Sequence, residues 1–230
     1  MLPVYNNLAR VPIRLGLLLF GVHRVISASD PVGPLLEAFC ASDAADGPEA
    51  DRRRAAARDM LRNGRFKPTG RSKPASEYLL RTVRDAGPDG FPRINPIVDI
   101  ANFLSLSQQV PVSLWDTDKA PGAGYRFRLG REGESYVFNS AGQSIELHDL
   151  VVGCAIGADG TSEQPIVNPV KDSLLTKTDD ASLNFGLVIY APESVFSDAE
   201  VANLLEKLSE MLATVAEGLT CEMALPTTVS

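Results

Sequence analysis

The spacing of apolar residues changes character along the chain. From Val11 to Ile26 ("VPIRLGLLLFGVHRVI") apolar positions run almost unbroken, which predicts a buried strand entered at Pro12 and closed by the polar Ser27–Asp30 turn. A helical period follows. Asp30-Pro31 reads as a helix start, with Leu35, Leu36, Ala38 and Phe39 on its apolar face. "ASDAADGPEAD" is a loop holding a second N-cap, and the arginine-rich "DRRRAAARDMLRNGR" is a helix stopped at Asn63-Gly64. The turn cluster "KPTGRSKP" leads into a third helix, "ASEYLLRTVRDAG", with Tyr78, Leu79 and Val83 on one side.

A fourth helix begins at Asn95, an N-cap, with Pro96 at the first helical position. Ile97, Ile100, Ala101 and Leu104 recur at core-facing spacing, while Asp99, Asn102, Ser105 and Gln109 share another face. Pro111 ends this helix, and "VPVSLWD" turns to a strand. Up to Pro192 the pattern is that of strands: "YRFRLG", "ESYVFN", "DLVVGCAIG" and "LNFGLVIYA", separated by turn residues. A last helix is expected over Ser197 to Glu217, opened by a Ser197–Glu200 capping box. Helices flanking a strand-rich middle, without regular βαβ alternation, point to an α+β fold. The expectation is one domain over residues 1–230, a mixed or antiparallel sheet packed with helices. Its N-terminal strand and helices occupy 11–63 and its C-terminal helix 197–217.

Composition narrows this only slightly. The 230 residues, 44% hydrophobic and 22% charged, can bury a sizeable core without staples. No apolar run reaches membrane-spanning length. "LGLLLFGV" behind Arg10 and Arg14 resembles a short targeting core, but His23 and Arg24 interrupt it and Val25-Ile26 resume the strand pattern. Cys40, Cys154 and Cys221 are too scattered for a disulfide framework or a metal site, and there are only two histidines, His23 and His148. A cytoplasmic protein without metal or cofactor is expected.

Charge changes the picture more. Residues 52–93 hold twelve Lys or Arg against four Asp or Glu, a balance of +8, while residues 94–230 hold seven against nineteen, −12. The overall −7 hides a basic segment on an acidic body. Arg52, Arg53, Arg54, Arg65, Lys67, Arg71 and Lys73 are candidates for a nucleic-acid phosphate backbone; the alternative is a solvated helix face. No P-loop, dinucleotide fingerprint, H-E-x-x-H or G-x-S-x-G is present.

Residues 91–119, "FPRINPIVDIANFLSLSQQVPVSLWDTDK", carry the most specific pattern. The Asn95-x-x-x-Asp99-x-x-Asn102 spacing, the Asp116-x-Asp118-Lys119 ending and the downstream Gly133-Glu134 pair together resemble the B3/B4 domain of the phenylalanyl-tRNA synthetase β subunit. The likeness is closer still to free-standing relatives of that domain, through "KPASEYLLR" and "PVKDSLLTKTDDASLNFGLVIYAPE", and covers about residues 64–192. The resemblance implies an editing module, which hydrolyses the aminoacyl ester, most often tyrosyl, at the 3′ end of a mischarged tRNA. Such chemistry needs a positioned water and donors for an oxyanion, and neither a metal nor a triad.

Carried over by residue, the match is mixed. The pocket's Thr-Asn pair falls on Ala101 and Asn102, and its histidine on Ser113. Its tyrosine-reading glutamate falls among Val188, Ile189 and Tyr190, where there is no carboxylate. The tyrosine-specific pocket is therefore altered, and an apolar wall suits a hydroxyl-free side chain. Lys171 and Asp172, after Asn168-Pro169, are candidates to orient water, hold a carboxylate or shuttle a proton, with Ser113 beside them. A solvated surface ion pair is the alternative. Ala101, Asn102, Glu77, Trp115, Val188 and Tyr190 are the candidate substrate contacts. Asp116, Asp118 and Lys119 read instead as a clasp at the helix-to-strand junction. Three functions remain open: an aminoacyl-tRNA deacylase acting in trans; a tRNA-independent enzyme of secondary metabolism on a free, aromatic amino acid, such as a Pictet–Spengler condensation; or a non-catalytic amino-acid or RNA binding module. The partner is an amino acid or an aminoacyl-tRNA 3′ end, with the oligomeric state left open.

Overall fold

The structure, a computed structural model, describes residues 2–228. In chain order the strands are β1 (Val4–Asn6), β2 (Ile13–Gly21), β3 (Arg24–Val25), β4 (Val112–Asp116), β5 (Gly124–Leu129), β6 (Ser135–Val137), β7 (Ser144–Glu146), β8 (Val151–Ile156), β9 (Glu163–Val167), β10 (Asn184–Pro192), β11 (Ala216–Glu217) and β12 (Thr220–Ala224). The helices are α1 (Val32–Cys40), α2 (Pro48–Asp59), α3 (Ala75–Ala86), α4 (Pro96–Gln108) and α5 (Asp198–Ala213). Among the described residues no helix is long and apolar enough to cross a membrane.

Strands β12-β2-β10-β4 form an antiparallel central sheet, with β10 between β2 and β4. The near-continuous apolar runs of β2 and β10 have a simple cause: both faces of this sheet are covered. One face presents Leu18, Phe20, Phe185, Leu187 and Ile189 to a core shared with Leu36, Ile97, Ile100 and Leu208 of the helices. The other presents Leu15, Leu17, Val188 and Tyr190 to a second core containing Phe127, Val152 and Cys154. That core belongs to a second sheet, β1-β5-β8-β9, in which β1 pairs parallel with β5 and the other pairs are antiparallel. The architecture is α+β, with helices, central sheet and second sheet stacked in that order.

Close approach is built in at Gly16 and Gly186. A Cβ on Gly16 would meet Val201 of α5 at 2.6 Å, and one on Gly186 would meet the Trp115 indole at 2.1 Å. Helix α4 begins as expected, with the Asn95 side chain accepting from the Val98 N–H. It stops before Pro111, at Gln109 in the left-handed conformation. The Ser197–Glu200 capping box opens α5, but that helix ends at Ala213. The chain then forms the short strand β11 against β3, so the expected extension to Glu217 is replaced by strand pairing. Strands β1, β7, β9 and β12 were not visible in the hydrophobic pattern; all are short, and several are sheet edges.

Candidate functional site

Helices α3 and α4, strand β4 and the loop after β9 meet around a cavity of about 280 Å³ lined by Ala75, Tyr78, Leu79, Asn102, Ser105, Val112, Val170 and Lys171. The amphipathic spacing of α3 places Tyr78 and Leu79 on its boundary, beside the buried Leu80 and Val83. On α4, the same turn that buries Ile100 and Ala101 turns Asn102 toward this cavity.

The Asn-Asp-Asn spacing of α4 thus divides its labour. Asn95 caps the helix, and the buried Asp99 carboxylate accepts from the Ile94 N–H at 2.9 Å and pairs with Arg93 at 3.4 Å. Asn102 alone faces the cavity. Asp116, Asp118 and Lys119 hold the segment 177–184. The buried Asp116 carboxylate accepts from Ser182 Oγ, Asp118 accepts from Asn184 Nδ2 at 2.9 Å, and Lys119 Nζ donates to the Lys177 carbonyl and to Asp179, each at 2.6 Å.

Lys171 stands where the cavity adjoins a larger cleft of about 790 Å³. Its ammonium lies 4.1 Å from the Phe138 ring centroid, a cation–π contact, and burial together with the nearby Arg71 guanidinium pushes its pKa below the usual lysine value. Tyr78 and Lys171 line both spaces. The cleft is also bordered by Arg65, Phe66, Lys67, Arg71, Phe138, Glu146 and His148. Among the described residues Arg65, Lys67, Arg71 and Lys171 form no ion pair with a carboxylate. The arginines on and just after α2 differ: Arg52 and Arg53 pair with Glu49, Arg54 with Asp51, Arg58 with Glu77 and Arg62 with Asp59.

Behind Lys171 the loop is wound on a buried polar cluster. Asn168 Oδ1 accepts from the N–H groups of Val170 and Lys171, both at 2.8 Å, and Asn168 Nδ2 donates to the Tyr136 hydroxyl. Tyr136 in turn donates to the Lys171 carbonyl at 2.7 Å. Ser113 Oγ donates to Asp172 Oδ1 at 2.7 Å, and the Asn168 N–H to the same oxygen at 3.2 Å. Burial pushes the Asp172 carboxyl up to about 7, against the opposing pull of these donors. The Tyr190 hydroxyl lies beside Ser113 and Asp172 without meeting hydrogen-bond geometry to either, and burial holds this phenol well above its ordinary pKa.

The candidates named from sequence therefore fall into separate places. Asn102 and Lys171 line the cavity together. Ser113 and Asp172, each one position along from the cavity-lining Val112 and Lys171, are joined in the cluster behind it, with Tyr190. Ala101 is in the helix-side core, while Trp115 and Val188 are fully buried in the core between the sheets. Glu77 carries a two-pronged ion pair with Arg58. Arg52 donates to the Ser194 carbonyl, Arg53 binds Glu49 and Gln108 and covers Phe196, and Arg54 binds Asp51 and the Ala45 carbonyl. Arg65, Lys67 and Arg71 border the cleft; Lys73 points to a neighbouring cavity with Arg71. Sequence reasoning passed over Tyr78, Val112 and Val170 as functional residues, because an apolar residue on a helix face, in a strand or in a turn reads as core.

A family model described as the B3/4 domain matches residues 65–213. Among solved structures the chain is similar to an N-terminal fragment of the phenylalanyl-tRNA synthetase beta-subunit from Pyrococcus horikoshii, at 11% identity and a TM-score of 0.45. That alignment covers 95% of this chain and 49% of the fragment, so the chain spans about half the fragment's length. No curated protein matches the chain.

Proposed function

The chain belongs to the B3/4 domain family, and from that premise we propose that it receives the aminoacyl end of a charged tRNA and hydrolyses the ester in trans. The observation that carries this reading is the junction at Tyr78 and Lys171: a small, mostly apolar cavity adjoining a cleft whose Arg65, Lys67, Arg71 and Lys171 lack carboxylate partners among the described residues. An aminoacyl ester has the matching form, a compact side chain attached to a polyanionic strand. A free amino acid would use the cavity and leave the cleft without purpose.

Ester hydrolysis adds water to the carbonyl carbon with loss of one water proton to solvent, forms a tetrahedral oxyanion, and breaks the bond to the terminal ribose oxygen, which takes a proton and leaves the amino acid as a carboxylate. Lys171 is assigned as the group that stabilises the oxyanion and returns a proton to the ribose oxygen, tasks suited to an ammonium whose pKa is lowered. Asn102 is assigned to orient the substrate through its carboxamide. Ser113 and Asp172 are positioning residues. They hold the loop that presents Lys171, through Asn168, without touching the substrate themselves.

Binding measurements separate the readings. Aminoacyl-tRNA is expected to bind more tightly than either uncharged tRNA or free amino acid, and to weaken as salt rises. Equal affinity for the free amino acid, with no tRNA bound at low salt, would instead favour a tRNA-independent enzyme.

A further inference from the structure

A second cationic cavity lies next to the cleft, outside the part of the site described above. It measures about 710 Å³ and sits between α2, the 70–72 turn and α3. Arg54, Arg58, Arg71, Lys73, Arg81 and Arg84 line it, against only Glu77 and Asp85. Two kinds of cation are present. Arg54, Arg58 and Arg84 are anchored, by Asp51 and the Ala45 carbonyl, by Glu77, and by Asp46 and the Ala45 carbonyl respectively. Arg71, Lys73 and Arg81 form no ion pair among the described residues, and Arg81 lies 5.5 Å from the Tyr78 ring centroid.

Two further features give the cavity a direction. Arg71 and Tyr78 also line the cleft, so the two spaces adjoin across these side chains. Arg54 and Arg58 come from α2, which precedes the family match at residue 65. One wall therefore comes from residues that precede the matched region.

We infer that this cavity binds phosphates of the same RNA strand, upstream of the nucleotide held in the cleft. The inference rests on the tRNA reading above. Anchored guanidiniums pre-organise the wall at little entropic cost on binding, and the unpaired cations supply charge that a phosphate backbone neutralises. Adjacency of the two cationic spaces at Arg71 favours a polymer over a compact anion, which would need only one of them.

The test compares a cavity variant, Lys73→Ala with Arg81→Ala, and a cleft variant, Arg65→Ala with Lys67→Ala, by equilibrium binding across a salt series. None of these four side chains forms an ion pair among the described residues, and circular dichroism melting checks that each variant folds. The probes are whole uncharged tRNA, a short single-stranded RNA that reaches only the cleft, and inorganic tripolyphosphate. The cavity variant is expected to weaken tRNA binding and to flatten the plot of log affinity against log salt by about 1 for each phosphate it no longer neutralises. The short RNA should bind wild type and cavity variant alike. An unchanged tRNA slope in the cavity variant, with the cleft variant impaired, overturns this inference and leaves the tRNA reading standing. Tripolyphosphate binding without any tRNA binding by wild type overturns both.

Discussion

The Ser113 hydroxyl donates to the Asp172 carboxylate at 2.7 Å, joining an inward-facing strand position to the loop that presents Lys171. Among the described residues no cation forms an ion pair with this carboxyl, and burial outweighs the pull of its hydrogen-bond donors and of the Lys177 charge, so its pKa rises from the ordinary 3.8 to about 7. Between those values the folded chain binds more protons than the unfolded one. Asp172 therefore contributes most below about pH 4, and that contribution is lost as pH rises through 7. Asp172→Asn should remove this loss. Its melting temperature is expected to equal or trail that of wild type near pH 4 and to gain on it by pH 8. Parallel melting curves across this range would show that Asp172 does not titrate there.

Gly186 lies opposite Trp115 in the pairing of β10 with β4, and the indole fills the space its side chain would take. Gly186→Ala should cost about 1–3 kcal/mol through overpacking, read as a lower denaturant midpoint at unchanged slope. A midpoint within error of wild type would mean that the two strands separate freely at this pair.

Asp116 is buried and takes hydrogen bonds from Ser182 Oγ and the Asp118 N–H. Asp116→Ala strands these donors, at a cost of about 1–3 kcal/mol. Amide exchange should accelerate first in residues 177–184, the segment this clasp holds. Uniform acceleration across the whole chain would contradict a local role.

Arg53 and the cleft cations should behave in opposite ways. Arg53 bonds Glu49 and Gln108, and its guanidinium lies 5.0 Å from the Phe196 ring centroid. Arg53→Ala is expected to lower stability by about 1 kcal/mol and to leave tRNA affinity within about twofold. Arg65→Ala with Lys67→Ala should do the reverse. Calorimetric melting paired with a binding isotherm for each variant distinguishes the two patterns.

Much of the scaffold was legible because its signals are local. Asn95-Pro96 starts α4, Ser197 and Glu200 start α5, and the apolar runs of β2 and β10 mark strands buried on both faces. The end of α5 was not legible, because pairing of β11 with β3 involves residues about 190 positions apart. The site divides in the same way. Asn102 was identified from a family pattern and Lys171 as a charged residue after Asn168-Pro169, but their meeting at one cavity depends on how α4 packs beside the loop after β9. The arginine cluster shows how charge counts mislead: Arg53 and Arg54 are held by neighbouring acceptors, and the more scattered Arg65, Lys67 and Arg71 border the cleft. Trp115 is conspicuous in sequence, yet it serves the core between the sheets.

The most direct test of the central claim is the hydrolysis of aminoacyl-tRNA with enzyme in catalytic amount, followed as loss of acid-precipitable radiolabelled amino acid over a panel of aminoacyl groups. At least one ester should disappear faster than its spontaneous rate, with Lys171→Ala slowing that loss about 100- to 1000-fold without lowering the melting temperature. Spontaneous rates across the entire panel, or a rate indifferent to Lys171, would contradict the account.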